Sequence, residues 1–471
     1  MRILFSQSYF RIFDPKEMQR QMPYPPLGTL IAATLMREHG HDVHCVDGML
    51  AASLDIFDRK IEEFRPDLVV MYDDEFNYLT KMCLSNMRYA AFYMIRKAKS
   101  LKVPVIVYSS DATDHAHAYL QEKCDAIIVG EAENTLIELV SAFSNHRFET
   151  EKHSIKGLKF SDDGQLHTTP KREWIDDLDS LSDPDFTMID IEAYRKLWLK
   201  HHGYFSINIS TTRGCPYHCN WCAKPIYGQI YHSQSPAKTV HQLVKLKNNY
   251  LADHVWITDD IFGLKPGWLE SFETECKKQN IVIPYKCLTR ADLLLKADTI
   301  NHLKNSGCRT IWIGAESGSQ KILDAMEKGT KVEQIYEATD KAKKAGMEVA
   351  FFIQFGYTGE MWSDIQLTRK MIRECLPSEI GISVSYPLPG TKFYERVRDQ
   401  LKQKSNWTDS DDLDPMFSGT YEQIFYKILH RFVHAEYRML LNYKQRQWTQ
   451  LPRAIYHCLR FWFLKFVYFL I

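Results

Sequence analysis

Short apolar runs alternate with segments of helical periodicity through the first 145 residues. Leucine and isoleucine recur at helical spacing from Leu27 to His39, after a proline-rich segment and before Gly40, which predicts a helix. A second helix is predicted at residues 84–101. The apolar runs predict strands at residues 2–5, 43–46, 67–72, 103–108 and 125–129. Such strands between helices predict a doubly wound parallel sheet with helices on both faces.

A second alternation of strands and helices begins at Phe205 and repeats about six times. Its predicted strands are residues 205–210, 254–258, 284–288, 310–314, 348–354 and 379–385. Six strand–helix units predict a partial, TIM-like (β/α)6 barrel with its chemistry at the carboxyl ends of the strands. Helical periodicity returns from Thr420 to Gln447, so we expect a helical extension after the barrel.

These patterns predict an α/β protein with four parts. The doubly wound domain covers residues 1–145 and the partial barrel covers residues 201–400. Residues 146–200 are polar and acidic, and we interpret them as a surface connector without a bound ligand. A helical region covers residues 401–471.

The last part of the chain, residues 459–471, is strongly apolar and aromatic. Its uninterrupted apolar runs are far shorter than the ~20 residues that a bilayer span needs. Because Arg460 and Lys465 lie among the aromatic residues, the segment fits peripheral contact with a membrane interface. A terminal helix packed on the protein or on a partner fits equally, so both interpretations stay open.

Composition narrows the class of protein. Lysine plus arginine and aspartate plus glutamate both number 59 in 471 residues, which argues against general nucleic-acid binding. The chain opens directly on a strand-like run, so no secretion signal is predicted. The eleven cysteines are scattered apart from one trio, as expected for reduced thiols of a cytoplasmic protein.

Three cysteines, Cys215, Cys219 and Cys222, lie within one eight-residue loop. Gly214 and Pro216 interrupt regular structure there, so the loop can turn its sulfurs inward. Clustered thiolates favour a soft metal site, and a [4Fe-4S] cluster normally takes four of them, so three would leave one iron open. A zinc site is the alternative, but it usually needs a fourth cysteine or histidine at paired spacing.

The loop resembles the CxxxCxφC signature of the radical SAM superfamily, with Trp221 at the aromatic position φ. The resemblance implies a [4Fe-4S] cluster on Cys215, Cys219 and Cys222, whose open iron chelates the amino and carboxylate groups of S-adenosylmethionine. It also implies reductive cleavage to methionine and a 5′-deoxyadenosyl radical, which abstracts a hydrogen atom from an unactivated carbon. An electron donor such as flavodoxin or ferredoxin is the expected partner.

Polar residues at the ends of the predicted barrel strands are candidate S-adenosylmethionine ligands. Asp259 stands where the superfamily often has GGE, so we interpret it as a ligand of the methionine amine or as a helix cap. Arg290 is a candidate clamp for the methionine carboxylate, with a salt bridge to Asp292 as the alternative.

The next two strand ends resemble further superfamily segments. Glu316 and Ser317 belong to an ESGS segment, whose glutamate binds the ribose of S-adenosylmethionine in that family. Gln354 begins a segment that resembles the G-x-x-G-E turn near the adenine. Glu360 ends that turn and could equally cap the following helix.

The N-terminal third resembles the cobalamin-binding domain that precedes the barrel in one large radical SAM class. Residues 25–28, 38–41 and 130–133 match that domain, and no GxGxxG follows the first strand, which disfavours a dinucleotide. The resemblance implies cobalamin at the carboxyl ends of the strands. The candidate contacts there are Ser6, Thr29, Tyr72, Ser109, Gly130 and Glu131.

No cobalt-ligating histidine is expected from this chain. The segment around His44 only approaches the DxHxxG motif of many cobalamin domains, and His44 lies within a predicted strand. His115 and His117 follow the fourth strand and are interpreted as surface residues. The domain would otherwise be one that recognises substrate without cobalamin.

Segments 383–391, 406–421 and 425–438 resemble the anaerobic magnesium-protoporphyrin monomethyl ester cyclase group of the superfamily. The resemblance implies methylation or oxidative cyclisation. The aromatic fraction of 13% favours a large, apolar substrate such as a tetrapyrrole, lipid or polyketide, although large apolar cores have the same composition. A methylthiotransferase without cobalamin is an alternative, but it would need three more clustered cysteines, and Cys45, Cys83 and Cys124 lie on different elements. A non-catalytic iron–sulfur or zinc scaffold would leave the Glu316 segment unexplained.

Overall fold

The computed structural model describes residues 1–224 and 226–444, together with Leu459 and Trp462. Two sheets organise this part of the chain, one of seven strands near the N-terminus and one of six strands after it. The predicted α/β class, with a doubly wound sheet followed by a partial barrel, is confirmed.

The first sheet has the strand order β2-β1-β3-β4-β5-β6-β7. Its first five strands are parallel, and each comes close to a predicted apolar run. The strands are β1 Arg2–Ser6, β2 Asp42–Cys45, β3 Leu68–Tyr72, β4 Val105–Tyr108, β5 Ala126–Ile128, β6 Leu158–Asp162 and β7 Gln165–Thr168. The chain order reverses between β1 and β3, which is where doubly wound sheets bind ligands.

Helices cover both faces of this sheet. They are α1 Pro15–Arg20, α2 Leu27–Glu38, α3 Asp55–Phe64, α4 Ser85–Ser100, α5 Ser110–Asp114, α6 Ala116–Gln121, α7 Glu133–Ser144, α8 Phe148–Glu151 and α9 Ile191–His202. Successive strand residues point to opposite faces, so Phe5 packs in the core with α2 and α7, whereas Leu4 packs in the core with α3 and α4. The continuous apolar runs of the sequence follow from this two-sided burial.

The predicted connector at residues 146–200 needs correction. Strands β6 and β7 pair antiparallel and extend the first sheet beyond β5. Helix α9 buries Tyr194 and Trp198, so this segment contributes to the core as well as to the surface. The alternation of apolar residues in this segment is short and lies among acidic residues. The sequence pattern therefore indicates a surface connector although the segment forms two strands.

The second sheet is a parallel half-barrel with the order β15-β14-β13-β12-β11-β8. The strands of this part are β8 Ser206–Ile209, β9 Thr212–Arg213, β10 His232–Ser233, β11 His254–Ile257, β12 Tyr285–Thr289, β13 Cys308–Glu316, β14 Glu348–Phe355 and β15 Glu379–Val384. Strands β9 and β10 form a separate antiparallel pair beside the cysteine loop. All six predicted barrel strands are therefore present in the predicted order.

Helices follow the barrel strands and cover the outer face. They are α10 Pro236–Tyr250, α11 Trp268–Lys278, α12 Ala291–Leu294, α13 Thr299–Asn305, α14 Gln320–Ala325, α15 Val332–Lys344, α16 Trp362–Cys375, α17 Lys392–Val397 and α18 Gln423–Lys444. The predicted C-terminal helix corresponds to α18, whose Glu436 forms a buried ion pair with Arg369 of α16 at 2.9 Å.

Two chain segments form contacts between the first domain and the barrel. The proline-rich segment before α2 enters the barrel, where the Tyr24 hydroxyl lies 3.1 Å from Ser206 Oγ and Asn208 Nδ2 donates to Pro25 O. In the other direction, the chain after α17 returns to the first domain, where the Ser410 hydroxyl donates to Asp14 at 2.7 Å. The first domain and the barrel are therefore in contact through both segments.

Of the tail at residues 459–471, the structure describes Leu459 and Trp462. The other residues of the tail lie outside the described residues. Both of these side chains are exposed. Among the helices that the structure describes, none is long and apolar enough to cross a membrane.

Candidate functional site

The cysteine loop follows β8 and β9 and curls around a lysine. Lys224 Nζ donates to the carbonyl oxygen of Cys215 at 2.7 Å and to that of Tyr217. All three thiols are free and half-buried. A single ammonium group therefore fixes the curvature of the loop and places a positive charge beside the sulfurs.

Burial raises the pKa of Cys222 to about 12, and it also raises the pKa of Cys215. The charge of Lys224 opposes both shifts. In the described residues, no three cysteine, histidine or acidic side chains already converge as a metal site. The donor chemistry nevertheless fits a soft metal, because a metal would compensate the charge of thiolates that burial disfavours.

Asn220 anchors the loop to the neighbouring elements of the barrel. Its side-chain amide donates to Ala325 O at 2.7 Å and accepts from the Tyr357 hydroxyl at 2.8 Å. Its backbone N–H donates to Met326 O, and its carbonyl oxygen accepts from the backbone of Phe393. The loop is thus held from both sides, which preorganises the positions of the cysteines.

Glu316 lies at the carboxyl end of β13 in a left-handed conformation, with φ of 56°. Its carboxylate accepts from Lys328 Nζ at 2.8 Å, and both side chains are largely buried. Lys328 Nζ is 6.0 Å from the centre of the Trp221 ring, and the nearby Cys219 and Glu316 raise the pKa of Lys328. A strained, charged residue beside the cysteine loop is typical of a functional site.

Arg290 lies against the cysteine loop. The centre of its guanidinium is 3.7 Å from the centroid of the Tyr217 ring. The same guanidinium donates to Asp292 at 2.9 Å and to Lys328 O at 2.9 Å. The salt bridge considered from the sequence is therefore present, and the role of Arg290 as a carboxylate clamp stays a prediction.

Asp259 holds the chain before the cysteine loop. Its two oxygens accept hydrogen bonds from the backbone of Thr211 at 2.6 Å, from the Thr211 hydroxyl at 2.5 Å, and from Thr212 and Ser210. Burial raises the pKa of Asp259 to about 6. Four donors already occupy the carboxylate of Asp259, and its role as a ligand of the methionine amine stays a prediction.

The neighbouring Asp260 is placed differently, and the sequence analysis missed it. Its carboxylate is 2.9 Å from Lys81 Nζ of the first domain. Asp260 raises the pKa of Cys222, which shows that its charge lies near the sulfurs. This ion pair joins the two domains at the edge of the cysteine loop.

The other predicted ligands, Ser317, Gln354 and Trp221, differ in whether their side-chain polar atoms have hydrogen-bond partners. Ser317 is engaged with Thr368, whose hydroxyl lies 3.1 Å away. Gln354 Oε1 and Trp221 Nε1 are buried and find no hydrogen-bond partner in the described part of the chain. Glu360 accepts from the backbone of Gly356 at 2.6 Å, and burial raises the pKa of Glu360 to about 8. Gln354 and Trp221 therefore remain able to meet a ligand.

The second residue that the sequence analysis missed is Arg213, which directly precedes the cysteine loop. Its guanidinium donates to Glu131 at 2.5 Å and makes two hydrogen bonds with Glu133. Glu131 also accepts from the backbone of Ile175 at 2.5 Å. The Glu131 carboxylate thus joins the two domains, and its contact with cobalamin stays a prediction.

Aromatic and acidic side chains surround Arg213 and its two glutamate partners. The Arg213 guanidinium lies 5.2 Å from the centre of the Tyr227 ring, and the Tyr227 hydroxyl donates to Glu75 at 2.7 Å. Glu75 lies so close to Gly28 that a Cβ there would meet Glu75 Oε2 at 2.1 Å. The glycine of the proline-rich turn is thus required by the close approach of Glu75, which belongs to the same domain.

At the carboxyl ends of the first sheet, Thr29 and Ser109 have structural contacts. Thr29 Oγ1 donates to Tyr72 O at 2.6 Å, and Ser109 Oγ caps α5. Ser6 Oγ donates toward Met94 Sδ at 3.2 Å, and Gly130 forms a left-handed turn. The predicted cobalamin contacts at Thr29 and Ser109 stay predictions.

Three buried donors at the same edge lack partners. They are the hydroxyls of Tyr72 and Tyr108 and the side-chain amide nitrogen of Gln7, which find no acceptor in the ranges that the structure describes. The two tyrosine rings lie 4.2 Å apart at the ends of neighbouring strands. Buried donors without acceptors at a switch point fit a ligand rich in acceptor groups.

The surface interpretation of the histidines fails at His115, whose Nε2 is buried and finds no hydrogen-bond partner in the described part of the chain. His44 is half-exposed on the edge strand β2, where its ring stacks on Phe64 at 4.1 Å. His115 is half-buried, 3.8 Å from Asp111. Cys83 and Cys124 are buried and Cys45 is half-buried, on separate elements, and no second cysteine cluster forms among the described residues.

Comparison with known proteins places the cysteine loop in a family. Residues 209–372 match the model of the radical SAM superfamily. The chain is 26% identical over 411 residues to an uncharacterised methyltransferase of Pyrococcus horikoshii, and the match covers 85% of each chain. It is 24% identical over 280 residues to the anaerobic magnesium-protoporphyrin IX monomethyl ester cyclase of Rubrivivax gelatinosus, covering 59% of this chain and half of that cyclase.

Two solved structures share the two-sheet arrangement. The cobalamin-dependent S-adenosylmethionine radical enzyme OxsB, with aqua-cobalamin bound, matches with a TM-score of 0.75 and 14% identity, over 98% of this chain and 72% of that one. The radical S-adenosylmethionine methyltransferase TsrM of Kitasatospora setae, with cobalamin and a [4Fe-4S] cluster bound, matches with a TM-score of 0.69 and 16% identity, over 84% and 74%. The chain therefore carries a radical SAM domain at residues 209–372 and has the fold of the cobalamin-dependent radical SAM enzymes.

Proposed function

We propose that this protein is a cobalamin-dependent radical SAM enzyme that methylates or cyclises an organic substrate at an unactivated carbon. The observation that carries the proposal is the meeting of the cysteine loop, the Glu316–Lys328 pair and the carboxyl end of the first sheet in one region. The relatives with methyltransferase and cyclase names support this reaction class.

Cys215, Cys219 and Cys222 would hold the [4Fe-4S] cluster. Lys224 fixes the loop, and Asn220 and Asp259 anchor it to the barrel, so the sulfurs keep their positions while the cluster changes charge. When bound, the cluster and cobalamin supply the electron that cleaves S-adenosylmethionine and the methyl group or redox partner that the substrate needs. The protein would bind and orient the cofactors and the substrate, and it would exclude water from the site.

Glu316 would orient the ribose of S-adenosylmethionine, because a carboxylate can accept from two vicinal hydroxyls. Lys328 neutralises Glu316 while the ligand is absent and lies beside Trp221, where it can also contact an anionic group. Gln354 offers a buried, unsatisfied carbonyl oxygen toward the same end of the sheet within the described chain. Arg290 and Ser317 would lie at the edge of this group of S-adenosylmethionine ligands.

Cobalamin would be bound at the carboxyl ends of β1, β3 and β4. Gln7, Tyr72 and Tyr108 carry buried donors there that suit the amide oxygens of its side chains. Ser6 and Gly130 lie at the same edge. Since His44 faces away on an edge strand, we propose that no histidine of this chain binds the cobalt.

Radical SAM enzymes use an electron donor as well as an organic substrate. We propose a flavodoxin or ferredoxin as the donor and the cytoplasm as the location.

The test is anaerobic purification with cobalamin supplied, followed by analysis of iron, sulfide and cobalt and assay of 5′-deoxyadenosine after reduction with dithionite. We expect about four iron atoms per chain, one cobalt, and 5′-deoxyadenosine. Cys222→Ala should lose the cluster and the product, whereas the buried Cys276→Ala should keep both. Zinc in place of iron after reconstitution, or no 5′-deoxyadenosine from the iron-loaded protein, would refute the radical reaction.

A further inference from the structure

The inner, concave face of the half-barrel is lined by residues that alternate with those packed on the helices. On β12, Tyr285 packs on Phe272 of α11, with ring centroids 6.2 Å apart, so the adjacent Lys286 points to the inner face. Inner-face positions on β11, β12 and β15 are half-exposed, whereas most of the positions between them are buried. The inner face therefore forms a groove that the segment around Tyr24 partly fills.

Lys286 lies in this groove between two aromatic rings. Its Nζ is 4.6 Å from the centre of the Trp256 ring and 5.1 Å from that of Tyr24. No carboxylate in the described ranges lies within 4 Å of it, and the acidic group with the strongest influence on it, Glu379, is 3.6 Å from Arg20. Burial lowers the pKa of Lys286 to about 8, so it is mostly protonated at neutral pH.

The groove runs from Lys286 toward the cysteine loop. Trp312 and Phe352 pack at 4.4 Å on the neighbouring inner-face positions. Two residues beyond Trp312, Gly314 leaves room for the Glu316–Lys328 pair, because a Cβ there would meet Lys328 Nζ at 2.7 Å. The groove thus has aromatic walls, a free ammonium group at one end and the candidate cofactor residues at the other.

Resting on the proposed function, we propose that Lys286 binds the carboxylate of the substrate, and that this substrate is an apolar or aromatic carboxylic acid. Lys286 precedes the end of β12 by three residues, so it lies about 10 Å from the carboxyl end of that strand at ~3.3 Å per residue. A single ammonium group suits a monoanion, whereas phosphate groups usually gather several donors. Cation–π contacts hold the ammonium group in place until the carboxylate arrives.

The test compares acids with their neutral methyl esters, so that charge is the variable. Pyrenebutyric acid and cis-parinaric acid, each with its methyl ester, are titrated by fluorescence into the reconstituted protein. The wild type should bind at least one acid about tenfold or more tightly than its ester, as expected for one charge-assisted hydrogen bond. Lys286→Met should abolish this preference, Lys286→Arg should keep most of it, and the exposed Lys296→Met should keep all of it.

Equal binding of acid and ester by the wild type for both probes, or an unchanged preference in Lys286→Met, would overturn the proposal. Thermal unfolding of each variant shows whether the chain is folded, and Lys286→Arg supplies a second variant if Lys286→Met is not. Formation of 5′-deoxyadenosine is measured on the same preparations. Its absence counts against the proposed function alone, because the acid-to-ester ratio does not depend on cluster chemistry.

Discussion

The guanidinium of Arg213 makes two hydrogen bonds with the carboxylate of Glu133, and each of the two side chains is only 3% exposed. Arg213 directly precedes the cysteine loop, and Glu133 begins α7 of the first domain. The pair therefore connects the carboxyl end of the first sheet to a residue two positions before Cys215, the first cysteine of the motif. A shift of α7 would be passed to the loop through one buried ion pair.

Replacing Glu133 by alanine should destabilise the protein and disturb the cysteine loop. Removing one member of a buried pair leaves the other charge without full compensation, which costs roughly 3–5 kcal/mol. Because Glu131 still contacts Arg213, we expect the lower end of that range. Anaerobic urea unfolding measures the stability, and the iron content after reconstitution reports on the loop.

The matched control for this variant is Glu138→Ala. Glu138 lies on the same helix and pairs with Arg172, but its side chain is 47% exposed. An exposed pair contributes less than about 1 kcal/mol. If both variants lost the same stability, the buried pair would not have the importance assigned to it.

Glu316→Gln should weaken the binding of S-adenosylmethionine by about 10-fold or more, because hydrogen bonds to a charged group contribute ~1.5–3 kcal/mol. The change also leaves Lys328 without its partner, so thermal stability should fall slightly. Equilibrium dialysis on the iron-loaded protein measures the affinity. Glu327→Gln, which alters an outer pair with Lys392, should leave the affinity unchanged.

Asp259→Asn should act on the loop and leave the affinity for S-adenosylmethionine per loaded cluster unchanged. The substitution replaces one acceptor oxygen by a donor, so at least one of its four hydrogen bonds is lost, at a cost of about 1–3 kcal/mol. We expect less iron after reconstitution but a normal dissociation constant for the loaded fraction. A weakened affinity with normal iron content would support Asp259 as a ligand.

Glu360 should make stability depend on pH. Burial raises the pKa of Glu360 from 4.5 to about 8, so the folded protein keeps a proton that the unfolded chain has released between these values. Stability from this group is therefore lost as the pH rises from about 4.5 to 8. Glu360→Gln should gain stability relative to the wild type over that range and keep a constant difference above it. Urea unfolding at pH 5, 7 and 9 tests this, with the exposed Glu395→Gln as the unchanged control.

The sequence predicted the positions of the parallel strands along the chain well. These strands are buried on one or both faces, so they leave continuous or alternating apolar patterns. It predicted the cysteine loop and the Glu316 segment because these residues are local in the chain. The β6–β7 hairpin was missed because its short strands lie at the edge of the sheet, where β7 is largely exposed.

The site residues that the sequence did not predict act through distant contacts. Arg213 and Glu131 are separated by 82 residues, and Lys81 and Asp260 by 179. No local spacing reveals such a pair. Likewise, the carboxylate of Asp259 is indistinguishable from that of Asp260 in the sequence, and only the fold shows that the first turns toward Thr211 and the second toward Lys81.

The segment around Tyr24, which enters the half-barrel, has a consequence for synthesis on the ribosome. Tyr24 meets Ser206, a residue 182 positions later in the chain. At about 5–20 residues per second, this segment waits roughly 10–40 s before its binding surface is made. The first domain can fold in that time and present the segment in place, so the barrel would form around a plug that is already fixed. Nascent chains truncated before β8 should then show a folded first domain with Tyr24 accessible to chemical labelling.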